Sequence, residues 1–180
     1  MARAIAFLRA INVGGRHTVT MTELRRMFET MGLKDVETFI ASGNVIFSAP
    51  PGDPAALQRK IEQHLHKSLG YEVKVFLRTE SEVAAIAQYK PFKEARLRTA
   101  QVLNVAFLAA PLDAAAIKAL LALRTDIDDF HVNGREVYWL CMKKQSESKF
   151  SNVRFEKIVA TRATFRGLNT VAKLAAKYGR

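Results

Sequence analysis

Apolar runs of strand length alternate along this chain with stretches whose apolar residues recur every three or four positions, and that alternation lays out most of the fold. Ala4–Ile11 is a short apolar run rich in strand formers, and it runs into a loop at Gly14–Gly15. Thr20 and Glu23 have capping-box spacing; Leu24, Met27, Phe28 and Met31 then share one helical face until Gly32 stops the helix. Val36–Ala41 and Asn44–Ser48 read as two strands joined tightly at Ser42–Gly43, an antiparallel hairpin. After Pro50–Pro51–Gly52, Asp53 and Pro54 open a helix carrying Leu57, Ile61, Leu65 and Leu69, and Gly70 ends it. A strand follows at Glu72–Arg78. The order strand, helix, strand, strand, helix, strand is the split βαββαβ arrangement of a ferredoxin-like fold.

Thr79 and Glu82 repeat the capping-box spacing and predict a helix to about Lys90, where Pro91 ends it; residues 93–100 are polar and charged. A strand is expected over Val102–Leu108, then a helix capped by Asp113 with Ile117, Leu120 and Leu121 facing inward. Phe130–Val132 and Glu136–Met142 flank Asn133–Gly134, a strong two-residue turn signal. Ser151 opens a helix through Val159, Thr161–Phe165 reads as a short strand, and Asn169 is placed to cap a last helix with Val171, Leu174 and Tyr178 inward. Residue identities in the two halves do not align, but the element order repeats. The expected class is α+β, with two tandem ferredoxin-like (alpha-beta plait) halves, antiparallel sheets with helices on one face. Their expected bounds are residues 1–79 and 101–180, with a linking helix and loop over 80–100.

Charge sharpens this picture. The formal net charge is +11, and residues 140–180 hold ten Lys or Arg against Glu147 and Glu156, so the C-terminal end is the basic end. The single cysteine, Cys141, excludes an intramolecular disulfide and sits in the apolar run Val137–Met142, as expected of a buried thiol in a reducing compartment. No signal-peptide pattern opens the chain and no apolar stretch approaches the roughly 18–20 residues that cross a bilayer, so the expectation is a cytoplasmic protein with no membrane partner.

The candidate chemistry concentrates at the first loop. Two adjacent glycines allow a sharp turn that offers backbone N–H groups to an anion, and Arg9, Arg16 and His17 supply charge around Gly14 and Gly15. The loop is neither a Walker A motif nor a G-x-G-x-x-G fingerprint, and a tight turn on a basic protein accounts for the same residues. Ser42 and Asn44 are candidate donors beside it, since the third strand of such a sheet neighbours the first; hairpin chemistry explains them equally. The four histidines show no metal spacing, there is no G-x-S-x-G elbow, and no organic cofactor is implied. Asp126, Asp128 and Asp129 read most simply as a solvated turn. Asn44–Val45–Ile46–Phe47 lacks the alternating aromatics with which such sheets stack RNA bases, leaving backbone attraction as the route to nucleic acid.

Three stretches, Leu8–Gly15, Ser42–Phe47 and Thr164–Val171, together resemble the bacterial family known as domain of unknown function 1697. The resemblance runs from the first strand to the last helix; it implies two ferredoxin-like halves and names no activity. Two departures stand out: Ala10 where the family usually has glycine, and Gly167–Leu168 where it usually has Asn-Trp, while Thr164, Arg166 and Thr170 match. The sequence thus predicts a small anionic ligand, phosphate- or carboxylate-bearing, at Gly14–Gly15, with Arg9, Asn12, Arg16 and His17 sharing a cleft with Arg166 and Asn169. The alternative is non-specific nucleic-acid binding by the basic end.

Overall fold

In the computed structural model, which describes residues 2–12, 15 and 17–179, the first four strands are β1 (Arg3–Leu8), β2 (Lys34–Thr38), β3 (Asn44–Ser48) and β4 (Val75–Thr79). They form one antiparallel sheet in the order β2-β3-β1-β4. Two helices, α1 (Met21–Thr30) and α2 (Pro54–Leu69), supply the core on one side. Alternation along β1 sends Ala4, Ala6 and Leu8 to that side, where they pack with Leu24 and Phe28 of α1 and Ile61 and Leu65 of α2. Ile5 and Phe7, on the opposite side, are also fully buried, which is why β1 reads as a continuous apolar run and not an alternating one.

The second sheet repeats the plan. Strands β5 (Val102–Phe107), β6 (Asp128–Asn133), β7 (Glu136–Cys141) and β8 (Thr164–Gly167) take the order β6-β7-β5-β8, all antiparallel. Leu120 of helix α5 (Ala114–Leu121) and Phe155 and Val159 of helix α6 (Asn152–Val159) share a core with Ala106, Leu108 and Trp139. The chain divides into two compact units, Met1–Ala84 with Leu174–Arg180, and Ala85–Lys173.

Five helix starts form as their sequences predict, among them Ser151, whose hydroxyl accepts from the Arg154 amide at the start of α6. Thr20 and Glu23 make a reciprocal capping box, Asp53 accepts from Ala55 and Ala56 with Pro54 in the first turn, and Asp113 accepts from Ala116. Thr79 and Glu82 likewise exchange bonds, so helix α3 (Glu80–Gln88) follows β4 without a loop. The end of α3 belongs to the second unit, where the carbonyl of Ile86 accepts the Tyr138 hydroxyl at 3.0 Å. Helix α7 (Leu168–Tyr178) follows β8 in the same way, and its end belongs to the first unit. There the Tyr178 hydroxyl donates to Glu37 at 2.8 Å, and that bond holds the carboxyl below its usual range.

Several expectations change. β2 covers Lys34–Thr38 and not Val36–Ala41, because Ile40 turns into the left-handed region at φ 49°, so the hairpin connection is residues 39–43 and not Ser42–Gly43 alone. Residues 94–99 form a short helix, α4 (Glu94–Thr99), whose Arg96 pairs with Asp129. The second hairpin pairs Asn133 with Glu136, so its turn is Gly134–Arg135; Gly134, at φ 59°, fills the first central position, where a type II′ turn calls for glycine. Asn169 lies inside the first turn of α7 and does not cap it, because β8 runs on to Gly167 and the helix begins at Leu168.

Asp128 and Asp129 are not a solvated turn but the start of β6. Asp128, 6% exposed, accepts from the Trp139 indole at 2.8 Å and the Ser148 hydroxyl at 2.7 Å. Asp128→Ala should therefore leave a buried indole N–H unpaired and cost about 1–3 kcal/mol in urea unfolding, whereas an exposed Asp126→Ala should cost little. Equal effects of the two substitutions would contradict the assignment.

Candidate functional site

The two halves, set side by side, show where the first has been elaborated. Ile5–Ala6–Phe7–Leu8 and Val105–Ala106–Phe107–Leu108 hold the same place in their sheets: Ile5 faces Arg78 as Val105 faces Arg166. The Leu8 amide donates to Gly43 at 2.8 Å, as the Leu108 amide does to Arg135 at 2.9 Å. The identities of the two halves thus do align in the central strands, and unequal connections hide it. The chain takes residues 9–20 to pass from β1 to α1, but only 108–113 to pass from β5 to α5. It takes residues 39–43 between β2 and β3, but only Gly134–Arg135 between β6 and β7. Both long connections leave the same end of the first sheet.

Asn12 ties them together. Its side-chain oxygen accepts the Val19 amide at 2.8 Å, and its side-chain nitrogen donates to the Val19 carbonyl at 3.1 Å and to the Ala41 carbonyl at 3.4 Å. One amide side chain thus does the work of a strand partner, closing the 9–20 loop on itself and binding it to the 39–43 loop. The Asn12 amide also donates to the His17 carbonyl at 3.3 Å, and the Arg9 amide donates to the Lys74 carbonyl at 2.9 Å. The 39–43 loop has its own brace: buried Asn44 donates to the Phe39 carbonyl at 2.9 Å and to the Ser42 hydroxyl at 3.0 Å. Gly43 is required there, since its φ is +75° and a Cβ would lie 3.1 Å from Leu8 Cβ and 3.5 Å from Ile11 Cβ.

The backbone of these loops is held in sparsely populated conformations. Ala10, Asn12, His17 and Ile40 all have positive φ, at 68°, 55°, 52° and 49°. Asparagine tolerates this; alanine and the β-branched isoleucine do so at about 1–2 kcal/mol each.

Asn12, Ser42 and Asn44, predicted as ligand donors, are thus engaged with the loops themselves. Arg9 is half-buried at the end of β1, Gly15 and His17 are exposed, and open space lies where a Gly15 Cβ would be. Gly14 and Arg16 lie outside the described residues. The α1 N-terminus is occupied by the protein's own carboxylate: Glu23 accepts from the Thr20 amide at 2.9 Å, and that bond holds its carboxyl below the usual range. Tyr71 is a member of the candidate site that sequence reasoning missed; its ring packs against the His17 ring at a tilt of 40° with centroids 3.9 Å apart, and its hydroxyl donates to the His17 carbonyl at 3.3 Å. Its only sequence signal is an aromatic directly after the helix-ending Gly70.

Arg166 and Asn169 belong to the second unit. Arg166, 8% exposed, donates to the Thr164 hydroxyl at 2.7 Å and the Phe165 carbonyl at 2.9 Å, and burial lowers its pKa to about 10, which still leaves it charged at neutral pH. Asn169 is exposed on α7. Burial pushes the Cys141 thiol up, which opposes formation of a reactive thiolate. Among the described residues no three His, Cys, Asp or Glu side chains cluster as metal ligands, and no helix is long and apolar enough to cross a membrane.

Left-handed alanine gives a direct test of the loop geometry. Ala10→Gly should raise stability, by up to about 1 kcal/mol in urea unfolding, where the same change in regular structure costs about 0.5–1 kcal/mol. A loss of that size would show that Ala10 is not held at positive φ.

Comparison with curated proteins finds no match. Among solved structures, a conserved bacterial protein, SP0830 from Streptococcus pneumoniae, superposes with a TM-score of 0.77 at 23% identity, covering 100% of this chain and 99% of its own, a likeness that establishes the fold alone. The family model described as protein of unknown function (DUF1697) matches residues 1–138, a span that holds the strained loops and both central strands, and the chain belongs to that family.

Proposed function

We propose that the Arg9–His17 loop binds a small anionic ligand bearing a phosphate or carboxylate group. The observation that carries this reading is that both connections lengthened in the first half meet at one end of one sheet, braced by Asn12, while the second half closes the same fold without them. Strained loops held on a rigid sheet are where binding groups concentrate. Arg9 and His17 supply the charge, and the space beside Gly15 supplies the approach. Attraction here comes from these side chains and from loop N–H groups, and not from the α1 terminus that Glu23 occupies.

A thermal-shift series with inorganic phosphate, nucleotides and small carboxylates tests the reading. A ligand at about 100 times its dissociation constant adds about 2.7 kcal/mol of stability, enough to register as a rise in melting point. Arg9→Ala should abolish the rise, each protein being compared with its own unliganded melting point. If no anion raises the melting point of the unaltered protein, the loop is not an anion site.

A further inference from the structure

The second unit carries a separate charged surface on the segment that runs from β7 into α6. Lys143, Lys144, Lys149, Arg154 and Lys157 are all exposed, and among the described residues none of them forms an ion pair. Two carboxylates lie among them: exposed Glu147 accepts from the Lys144 backbone amide at 3.1 Å and keeps its charge, and buried Glu156 pairs with Arg162 at 3.5 Å. Within this stretch lies Val153, 75% exposed, a large apolar side chain that the core does not use. Arg154 and Lys157, three apart on α6, present neighbouring cations, and the Arg154 guanidinium is steadied by donating to the Lys149 carbonyl at 3.3 Å.

We propose that this surface docks on the sugar–phosphate backbone of nucleic acid, without sequence preference, with Val153 against the sugars and the five cations against successive phosphates. Five cations against two carboxylates along one short stretch, one of the two already paired with Arg162, match a regular polyanion better than one compact ligand. An anionic membrane fits less well, because surface binding by a helix needs a broad apolar face. Phe155 and Val159 of α6 are buried in the core, which leaves Val153 alone.

Fluorescence anisotropy with a labelled duplex DNA and a labelled single-stranded RNA, at about 50 and 200 mM salt, measures the interaction. Neutralising five phosphates predicts a loss of affinity by roughly two to three orders of magnitude between those salts on the duplex. The triple variant Lys149→Glu, Arg154→Glu, Lys157→Glu should abolish most binding at low salt. The same change of charge at Arg59, Lys60 and Lys67, exposed cations on α2, should leave most of it intact. Circular dichroism checks that both variants fold. Three outcomes would overturn the proposal: no binding of either probe at 50 mM salt, equal losses in the two triple variants, or binding only to phosphatidylserine vesicles.

Discussion

Strand β1 is hydrogen-bonded along both edges, to β3 and to β4, and buried on both faces, so the chain leaving it has almost no freedom in where it goes next. The Arg9 amide is still committed to Lys74, and α1 must begin at Met21 on the helix-bearing side of the sheet. A short capped connection meets that demand in the second half. The first half meets it with a longer loop, in which a side chain has to supply partners for backbone groups that no strand or helix pairs. Asn12 does that, with one side chain bonded to both backbone groups of Val19 and reaching Ala41.

That brace lets strained residues persist. At about 1–2 kcal/mol each, Ala10 and Ile40 together draw on a noticeable share of the roughly 5–15 kcal/mol that stabilises a folded domain. The core of the first unit must outweigh that strain, and its packing is dense: Phe28 and Phe47 lie 5.7 Å apart between α1 and β3, with Leu24, Ile61 and Leu65 fully buried around them. A fold that needed only closure has the cheaper solution in its own second half. The length of these two connections, together with their strained backbone, is the physical basis of the proposal that the first loop binds a ligand.

Much of this was legible in the sequence, because capping chemistry is local. Thr20 with Glu23, Asp53 with Pro54, Thr79 with Glu82, and Asp113 each announce a helix within four residues, and the strand runs between them leave few topologies. α4 was not legible: Lys93 makes no side-chain cap bond and the helix buries nothing, so no periodic apolar pattern exists to read. Asp128 looked like surface because Trp139 and Ser148, which make it core, are distant in sequence. At the candidate site, the paired glycines and the charged residues around them were visible in the sequence, but the contacts made there were not. Asn12's role as a brace depends on Val19 and Ala41, and Tyr71's place against His17 depends on a residue 54 positions away. Neither could be read from spacing.

The most direct test of this account is amide hydrogen exchange at Val19, whose N–H is held by the Asn12 side chain and by no backbone carbonyl of a helix or sheet. The account predicts that the Val19 amide exchanges slowly in the unaltered protein, and that Asn12→Ala brings it to the rate of an unprotected loop while the amides of β1 stay protected. A Val19 amide that already exchanges at the unprotected rate in the unaltered protein would contradict it.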